Sequence, residues 1–119
     1  MLVVEDDSGV RNFMAAALRQ FGYDVTSVAG AADALAAATQ SRFDLVVSDV
    51  VMPGMDGPAL CRKIRELRPG TRALYVSGYP GGGGTLGNLL PEGAPLLQKP
   101  FSVEALLQRV RGLIEQTPG

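Results

Sequence analysis

An apolar, β-branched run over residues 45–48 ends at the carboxylate of Asp49, and residues that break both helices and strands follow within a few positions. Pro53, Gly54 and Gly57 rule out a continued strand, so the run predicts a buried strand with a carboxylate at its end. In open parallel sheets ligands bind at this end, because the strand ends and the following loops line a crevice. Taken alone, an Asp beside Pro and Gly is more often a helix cap or a turn residue. The interpretation of Asp49 therefore depends on what the other strands carry.

Short apolar runs alternate with helical patterns along the chain. The predicted strands cover residues 2–4, 23–28, 43–48, 71–77 and 95–98. The predicted helices cover about 10–21, 31–39, 58–67, 85–90 and 102–115. The strands are continuous apolar runs rather than alternating ones, which is typical of a parallel sheet covered on both faces. We therefore predict an α/β fold with one five-stranded parallel sheet in the order 2-1-3-4-5, a flavodoxin-like doubly wound (βα)5 sandwich.

Composition excludes several classes of protein. The 119 residues are enough for one domain, and the net charge of −1 argues against a nucleic-acid-binding surface or a polybasic membrane patch. No apolar run is long enough to cross a bilayer and no signal-peptide pattern is present, so we expect a cytoplasmic protein without membrane insertion. The absence of histidine excludes a Ser-His-Asp triad and imidazole metal ligands. The single cysteine, Cys61, has apolar neighbours at helical spacing and is predicted to be buried.

Polar side chains stand at the ends of four predicted strands. They are Glu5 and Asp6 after the first strand, Asp49 after the third, Ser77 after the fourth and Lys99 after the fifth. Right-handed crossovers bring these strand ends to one edge of the sheet, where three carboxylates repel one another unless a divalent cation binds. An all-oxygen cluster without histidine favours Mg²⁺. A cation, a hydroxyl and an ammonium group beside a carboxylate predict phosphoryl transfer, with Asp49 as the nucleophile.

Four motifs spread over essentially the whole chain resemble the receiver domain of two-component response regulators. They are Val4–Asp7, Ser48–Asp49 followed by Met52–Gly57, Ser77–Gly78, and Lys99–Phe101. Each motif alone is weak, but their joint occurrence in this order is specific. The resemblance implies one receiver domain over residues 1–119 that accepts a phosphoryl group on Asp49 from a partner's phosphohistidine and changes conformation to signal. It also implies that the chain catalyses its own aspartyl phosphorylation and a slow loss of the phosphate, with no independent metabolic activity.

The resemblance also implies a magnesium site. Asp6, Asp49 and the backbone carbonyl of Val51 are expected to be ligands of Mg²⁺. Glu5 is expected to support the metal through water. These expectations come from the family pattern and not from the spacing of the residues.

Two further residues are implied to contact the phosphoryl group. Ser77 is expected to hydrogen-bond it and to move on activation, and Lys99 to pair with its oxygens, with a cis peptide bond before Pro100. Asp7 lies just past the acidic pair, and we interpret it as a helix-start or solvated residue. The chain departs from the family three residues before the lysine, where Leu96 replaces the usual aromatic residue. This departure bears on the family's coupling between the serine and that aromatic residue.

The partners also follow from the resemblance. The expected partner is a histidine kinase or a histidine phosphotransfer protein, with no direct contact to nucleic acid. Residues 77–80 and 97–101 are similar to receivers fused to hybrid histidine kinases. Because the first strand begins almost at Met1 and no output domain follows Gly119, we expect an excised receiver or a single-domain phosphate relay. Glycines over 81–84 make the following helix irregular, so dimerisation through the face of that helix is not assumed. For self-association, a weak homodimer is the expectation kept open.

Other functions fit the sequence less well. Phosphatases of the haloacid dehalogenase type use the same groups, but they need an acid two residues after the nucleophile, where this chain has Val51. The glycines in residues 82–87 match the letters of a dinucleotide fingerprint, but they stand several residues beyond a strand. The same run fails as a phosphate-binding P-loop, because Asn88-Leu89 replaces the Lys-Ser/Thr pair. A receiver-like docking module that is never phosphorylated is expected to lack an acid, the acceptor aspartate or the lysine, and none is missing.

Overall fold

The computed structural model describes residues 1–78 and 94–115, which form one parallel sheet with helices on both faces. The strands are β1 (Leu2–Val4), β2 (Thr26–Val28), β3 (Leu45–Asp49), β4 (Arg72–Ser77) and β5 (Leu96–Gln98). The helices are α1 (Ser8–Gln20), α2 (Ala31–Gln40), α3 (Gly57–Leu67) and α4 (Val103–Ile114). None of these four helices has the length and apolar composition needed to cross a membrane. The predicted short helix over 85–90 lies outside the described residues.

The strand order is β2-β1-β3-β4-β5, and every neighbouring pair is parallel, which confirms the predicted flavodoxin-like sheet. The register pairs Val4 with Ser48 and Asp49 with Val76. The ends of β1, β3 and β4 are therefore level with one another. Because β1 and β3 are neighbours although α1, β2 and α2 separate them in the chain, the topological switch point lies between their ends.

Each face of the sheet packs against its own pair of helices. On the face covered by α2 and α3, the fully buried side chains include Val4, Val46, Leu60, Ile64 and Tyr75. On the face covered by α1 and α4, they include Val3, Leu18, Leu74, Leu106 and Val110. Successive strand residues point to opposite faces of the sheet. Because helices cover both faces, residues that point to either face are apolar. This explains why the strands appear in the sequence as continuous apolar runs.

Side chains cap three of the four described helices. Asp7 begins α1, Asp56 begins α3 and Ser102 begins α4, and each accepts a hydrogen bond from the backbone N–H three residues further on, at 2.8 to 3.1 Å. A cap of this kind stabilises a helix by about 1 kcal/mol. The interpretation of Asp7 as a helix-start residue is confirmed. Pro58 lies in the first turn of α3, where its missing N–H leaves no helix bond unmade.

Strand β2 is shorter than predicted, since it covers Thr26–Val28 rather than residues 23–28. Two contacts explain the difference. Gly22 has a φ of +92°, and the Tyr23 N–H donates to the Leu18 carbonyl at 3.1 Å, so the chain still completes the end of α1 at this point. In addition, β1 offers only three residues for pairing.

Cys61 is buried in the core beneath α3, as predicted, with 2% of its surface exposed. Burial raises the pKa of its thiol to about 11, although a hydrogen bond with Tyr75 and the charge of Arg65 act in the opposite direction. The thiol is therefore protonated at neutral pH and sits in the apolar interior as a small hydrophobic side chain.

Candidate functional site

The structure brings the predicted strand-end side chains to the carboxyl edge of the sheet, the edge at which the parallel strands end. Glu5 and Asp6 directly follow β1, and Asp49 is the last residue of β3. Ser77 is the last residue of β4, and Lys99 directly follows β5. The acids thus flank the switch point between β1 and β3, where open α/β sheets bind their ligands.

Lys99 bridges acids from two different strands. Its Nζ lies 3.1 Å from Oε1 and 3.2 Å from Oε2 of Glu5, and 3.1 Å from Oδ2 of Asp49. The side chains of Glu5, Asp49 and Lys99 are 1%, 13% and 20% exposed, so these ion pairs are largely shielded from water. One positive charge therefore faces two negative charges, and a net negative charge is left at the site.

The surroundings of Glu5 disfavour its charged form. Burial raises the pKa of the Glu5 carboxyl to about 7, and the Asp49 carboxylate adds to the increase, while Lys99 acts in the opposite direction. Burial also lowers the pKa of the Lys99 ammonium, but the charges of Asp49 and Glu5 outweigh this effect and the net pKa is raised. The lysine therefore keeps its charge at neutral pH, and Glu5 is close to its titration point. A further cation at the site would relieve the repulsion between the acids.

Three carboxylates converge closely enough to share a cation. Glu5, Asp6 and Asp49 each offer an oxygen, and these oxygens lie within 4.8 Å of one another. Asp6 is exposed, so water can reach this side of the cluster. Mg²⁺ prefers such oxygen ligands and keeps several of its waters, so the donor set fits this metal. Val51 comes two residues after Asp49, with 46% of its surface exposed, and the role of its carbonyl as a ligand stays a prediction.

Ser77 is held where β4 and β5 meet. It is 1% exposed, and its backbone carbonyl accepts a hydrogen bond from the Lys99 N–H at 2.6 Å. This bond continues the β4–β5 pairing by one residue beyond Gln98. The serine and the lysine are thus anchored to each other through the backbone. The predicted cis peptide bond between Lys99 and Pro100 is present.

The loop between β3 and α3 folds back onto the end of β3 at Gly57. The Gly57 N–H donates to the Val50 carbonyl at 2.8 Å. A Cβ at this position would collide with the carbonyl oxygen of Asp49 and lie 3.1 Å from Oγ of Ser48. Glycine is therefore required by close approach, whereas the sequence indicated only a chain break. A glycine at the first position of a helix, directly after the capping acid, is the signal that could have pointed to this contact.

Arg11 is a second residue of the site that sequence reasoning missed. It lies on α1, and its Nη1 donates to the backbone carbonyl of Glu5 at 2.8 Å. No local pattern indicates this contact. The only hint in the sequence is an arginine early in a helix whose preceding loop carries the acids.

Leu96 occupies the position where the family carries an aromatic residue. It is half-buried in β5 and pairs in register with Tyr75, which is 1% exposed. Leu96 therefore lies beside an aromatic ring of β4 that is part of the core on this face of the sheet.

An apolar groove of about 540 Å³ adjoins the site. Its walls include Val10 and Phe13 of α1 together with Pro100 and Phe101, and Lys99 lies at its edge. Phe13 is 43% exposed, and its ring centroid lies 6.1 Å from that of Phe101. An apolar surface therefore borders the charged cluster directly.

Comparisons with known proteins agree with this geometry. The family model described as response regulator receiver domain matches residues 1–111. Sensor kinase CckA of Brucella abortus is 38% identical over 120 residues, which cover 98% of this chain but only 12% of the kinase. The response regulator receiver protein CpdR of the same organism is 31% identical, over 96% of this chain and 95% of its own length.

A solved structure shows the same fold. The crystal structure of the receiver domain from the hybrid histidine kinase CckA superimposes with a TM-score of 0.80 at 34% identity, covering 96% of this chain and 97% of that domain. Together with the family model, this likeness shows that the chain belongs to the family of response regulator receiver domains of two-component systems.

Proposed function

We propose that this chain is a phosphoacceptor domain in which Asp49 takes a phosphoryl group from a partner's phosphohistidine. The observation that carries the proposal is the charged cluster, in which Lys99 Nζ lies 3.1 Å from both Glu5 and Asp49. The cluster stands at the end of β3, the central strand of the sheet. The receiver family match over residues 1–111 supports the same chemistry. We further propose that residues 1–119 make up one receiver domain.

The proposed transfer needs no base from this chain. A carboxylate oxygen of Asp49 attacks phosphorus, so that a P–O bond forms as the P–N bond to the donor imidazole breaks. The electron pair of the broken bond stays on the imidazole nitrogen. The 119 residues contain no histidine, so the donor imidazole lies outside them. Attack of water on phosphorus of the resulting acyl phosphate slowly breaks its P–O bond to Asp49, which releases inorganic phosphate and returns the free carboxylate.

The carboxylate cluster is proposed to hold Mg²⁺ through Asp6, Asp49 and the backbone carbonyl of Val51, with Glu5 acting through water. Supporting this assignment, three carboxylate oxygens lie within 4.8 Å of one another. When bound, the metal neutralises negative charge on the phosphoryl oxygens. Burial is the main cause of the raised pKa of Glu5, about 7, and the Asp49 carboxylate is the second; a cation would offset the second of these.

Lys99 and Ser77 are proposed to hold the phosphoryl oxygens. Lys99 Nζ already contacts Oδ2 of Asp49, so it is within reach of a group attached to that carboxylate. The backbone bond of 2.6 Å between Lys99 and Ser77 links any movement of one to the other. Contacts that exist only in the phosphorylated state then change the relative populations of two conformations of the domain. This change in population is the signal.

The proposed partner is a histidine kinase or a histidine phosphotransfer protein in the cytoplasm. The relative named sensor kinase CckA supports a phosphorelay partner. The apolar groove between α1 and Phe101 suits a docking helix that presents its histidine to Asp49. Lys99 lines this groove and also contacts Asp49, so a helix docked in the groove lies close to the acceptor carboxylate. We propose no direct contact with nucleic acid and at most a weak homodimer.

The test is to incubate the chain with Mg²⁺ and a small acyl phosphate, and then to measure its intact mass and locate the modification. One phosphate on Asp49 is expected, and it should be absent when the metal is chelated. Asp49→Asn should abolish labelling. Asp44→Asn is the matched control, because Asp44 is an exposed aspartate at the opposite end of β3 and should be labelled like the wild type. Equal labelling of Asp49→Asn and the wild type would refute the assignment.

A further inference from the structure

The loop between β1 and α1 carries two of the proposed metal-site acids, and these acids are held very differently. The buried Glu5 carboxylate is fixed by Lys99. The Asp6 carboxylate is exposed, and within residues 1–78 and 94–115 no side-chain hydrogen bond or ion pair holds it. Something other than its own side chain must therefore keep Asp6 within 4.8 Å of the other acids.

The backbone on the amino side of Asp6 supplies this restraint. The Glu5 N–H donates to the Val28 carbonyl at 3.1 Å, which continues the β1–β2 pairing. The Glu5 carbonyl accepts from Arg11 Nη1 at 2.8 Å, in a partly buried contact that spans six residues. Because a peptide unit is planar, fixing this carbonyl also fixes the direction in which the chain leaves for Asp6.

We propose that Arg11 is a positioning residue for the metal site, holding the peptide between Glu5 and Asp6 so that the exposed Asp6 carboxylate stays beside Asp49. This inference rests on the metal site of the proposed function. The contact is well suited to the task, because the Arg11 backbone N–H also donates to the Asp7 carbonyl at 2.9 Å. Arg11 therefore holds the carbonyl on each side of Asp6: its guanidinium binds that of Glu5, and its backbone N–H binds that of Asp7.

The opposite role for Arg11 makes an opposite prediction. A guanidinium is always charged, so its field alone opposes a cation bound nearby. If Arg11 acted only as a counter-charge to the acids, its removal would tighten the binding of Mg²⁺. If it acts by positioning, its removal loosens Asp6 and weakens binding. The sign of the change in affinity therefore distinguishes the two roles.

The experiment is a calorimetric titration of the full chain with MgCl₂, without phosphodonor, at a temperature at which every variant is folded. Arg11→Ala is expected to weaken Mg²⁺ binding about tenfold, the loss typical of residues that orient metal ligands. Arg11→Lys keeps a long side chain with a donor, and it should recover part of the affinity. Arg68→Ala is the matched control. Arg68 also donates to backbone carbonyls, but these belong to the C-terminal end of α2, at the opposite edge of the sheet. It should bind Mg²⁺ like the wild type.

Each outcome decides the inference. Weaker binding by Arg11→Ala, partial recovery in Arg11→Lys and unchanged binding by Arg68→Ala support positioning. Unchanged or tighter binding by Arg11→Ala overturns it. If Arg11→Ala does not fold, Arg11→Gln decides, since weaker binding supports positioning and tighter binding supports a counter-charge. A wild type that binds no Mg²⁺ would overturn the metal site together with this inference, whereas a wild type that binds leaves the metal site standing whatever the variants show.

Discussion

The two edges of the sheet carry charged side chains in opposite ways. At the carboxyl edge, Glu5 and Asp49 share one lysine, and a net negative charge is left over. At the amino edge, where the strands begin and the helices end, arginines donate to helix carbonyls. Arg68 donates to Ala38 and Thr39 at the end of α2, and Arg72 to Leu113 and Ile114 at the end of α4.

The difference follows from the direction of the helices. In a doubly wound sheet all helices run antiparallel to the strands, so the partial negative charges of the helix C-termini gather at the amino edge. Arginines there satisfy backbone carbonyls that otherwise have no partner. The acids at the carboxyl edge are left facing one another. At the amino edge Arg68 and Arg72 therefore offset the charge of two helix ends, whereas the acids at the carboxyl edge keep a net negative charge, which agrees with the proposed cation site.

The largest expected effect that separates the edges is steric. Gly57→Ala should lower the free energy of unfolding by about 3 kcal/mol, because the new Cβ collides with the Asp49 carbonyl and the backbone cannot yield cheaply. Gly70→Ala at the amino edge has no atom within 4 Å of the new Cβ, so its effect should stay within about 0.5 kcal/mol. Urea unfolding of both variants measures the difference. Similar losses would contradict the close approach at Gly57.

A second effect, of comparable size, should appear with pH in the metal-free protein. The pKa of Glu5 is raised from 4.5 to about 7 by folding, so the folded state favours the protonated carboxyl. The stability from this group is complete below about pH 4.5 and is lost as the pH rises towards 7, a decrease of about 3 kcal/mol.

Urea unfolding between pH 4 and 8 in the presence of a chelator measures this decrease. In Glu5→Gln the free energy of unfolding should change little between pH 4 and 8. Arg68→Ala, at the other edge, should show the same decrease with pH as the wild type. Saturating Mg²⁺ should remove much of the decrease in the wild type, since a metal that binds only the folded state stabilises it. An unchanged slope in Glu5→Gln would show that another group titrates.

The smallest effect is expected from the amino edge itself. Arg68→Ala removes two hydrogen bonds to the end of α2 and should cost about 1 kcal/mol of stability, with no change in aspartyl labelling. Arg68→Lys keeps a positive charge beside the end of α2 but cannot donate to two carbonyls in the planar geometry of a guanidinium. It should recover about half of the stability that Arg68→Ala loses. Thermal unfolding with and without Mg²⁺ measures both variants. A change in Mg²⁺ affinity in either one would mean that the two edges are coupled.

Most of the fold could be predicted because the sheet is covered on both faces. Each strand therefore appears as a continuous apolar run such as Leu2–Val4, and the helices show one apolar stripe each. The ends of elements were predicted less well. Residues 23–25 have strand-like composition, but Tyr23 hydrogen-bonds to Leu18 and completes the end of α1 instead. Tertiary contacts decided this boundary, and the local sequence does not contain them.

The positions of the site residues could be predicted, but the contacts among them could not. Strand ends and crossover handedness are enough to place Glu5, Asp49 and Lys99 at one edge. That Lys99 contacts Glu5 as closely as Asp49 depends on how β5 docks, which no local pattern indicates. Arg11 and Gly57 act through backbone atoms of other residues, so nothing in their own side-chain chemistry indicates the role.

Strand β5 has only three residues and lies at the edge of the sheet, yet it carries Lys99 to a cluster whose acids come from β1 and β3. The Lys99–Glu5 pair joins residues 94 positions apart in the chain. The site is therefore complete only while this short strand is docked, and any ligand that requires the complete site must also stabilise the docking. Amide hydrogen exchange at Lys99, whose N–H donates to the Ser77 carbonyl of β4, should then slow when the site is filled. Under the proposed function, occupancy of the charged cluster therefore raises the local opening free energy of β5, a change that a partner protein can sense without contacting the acids.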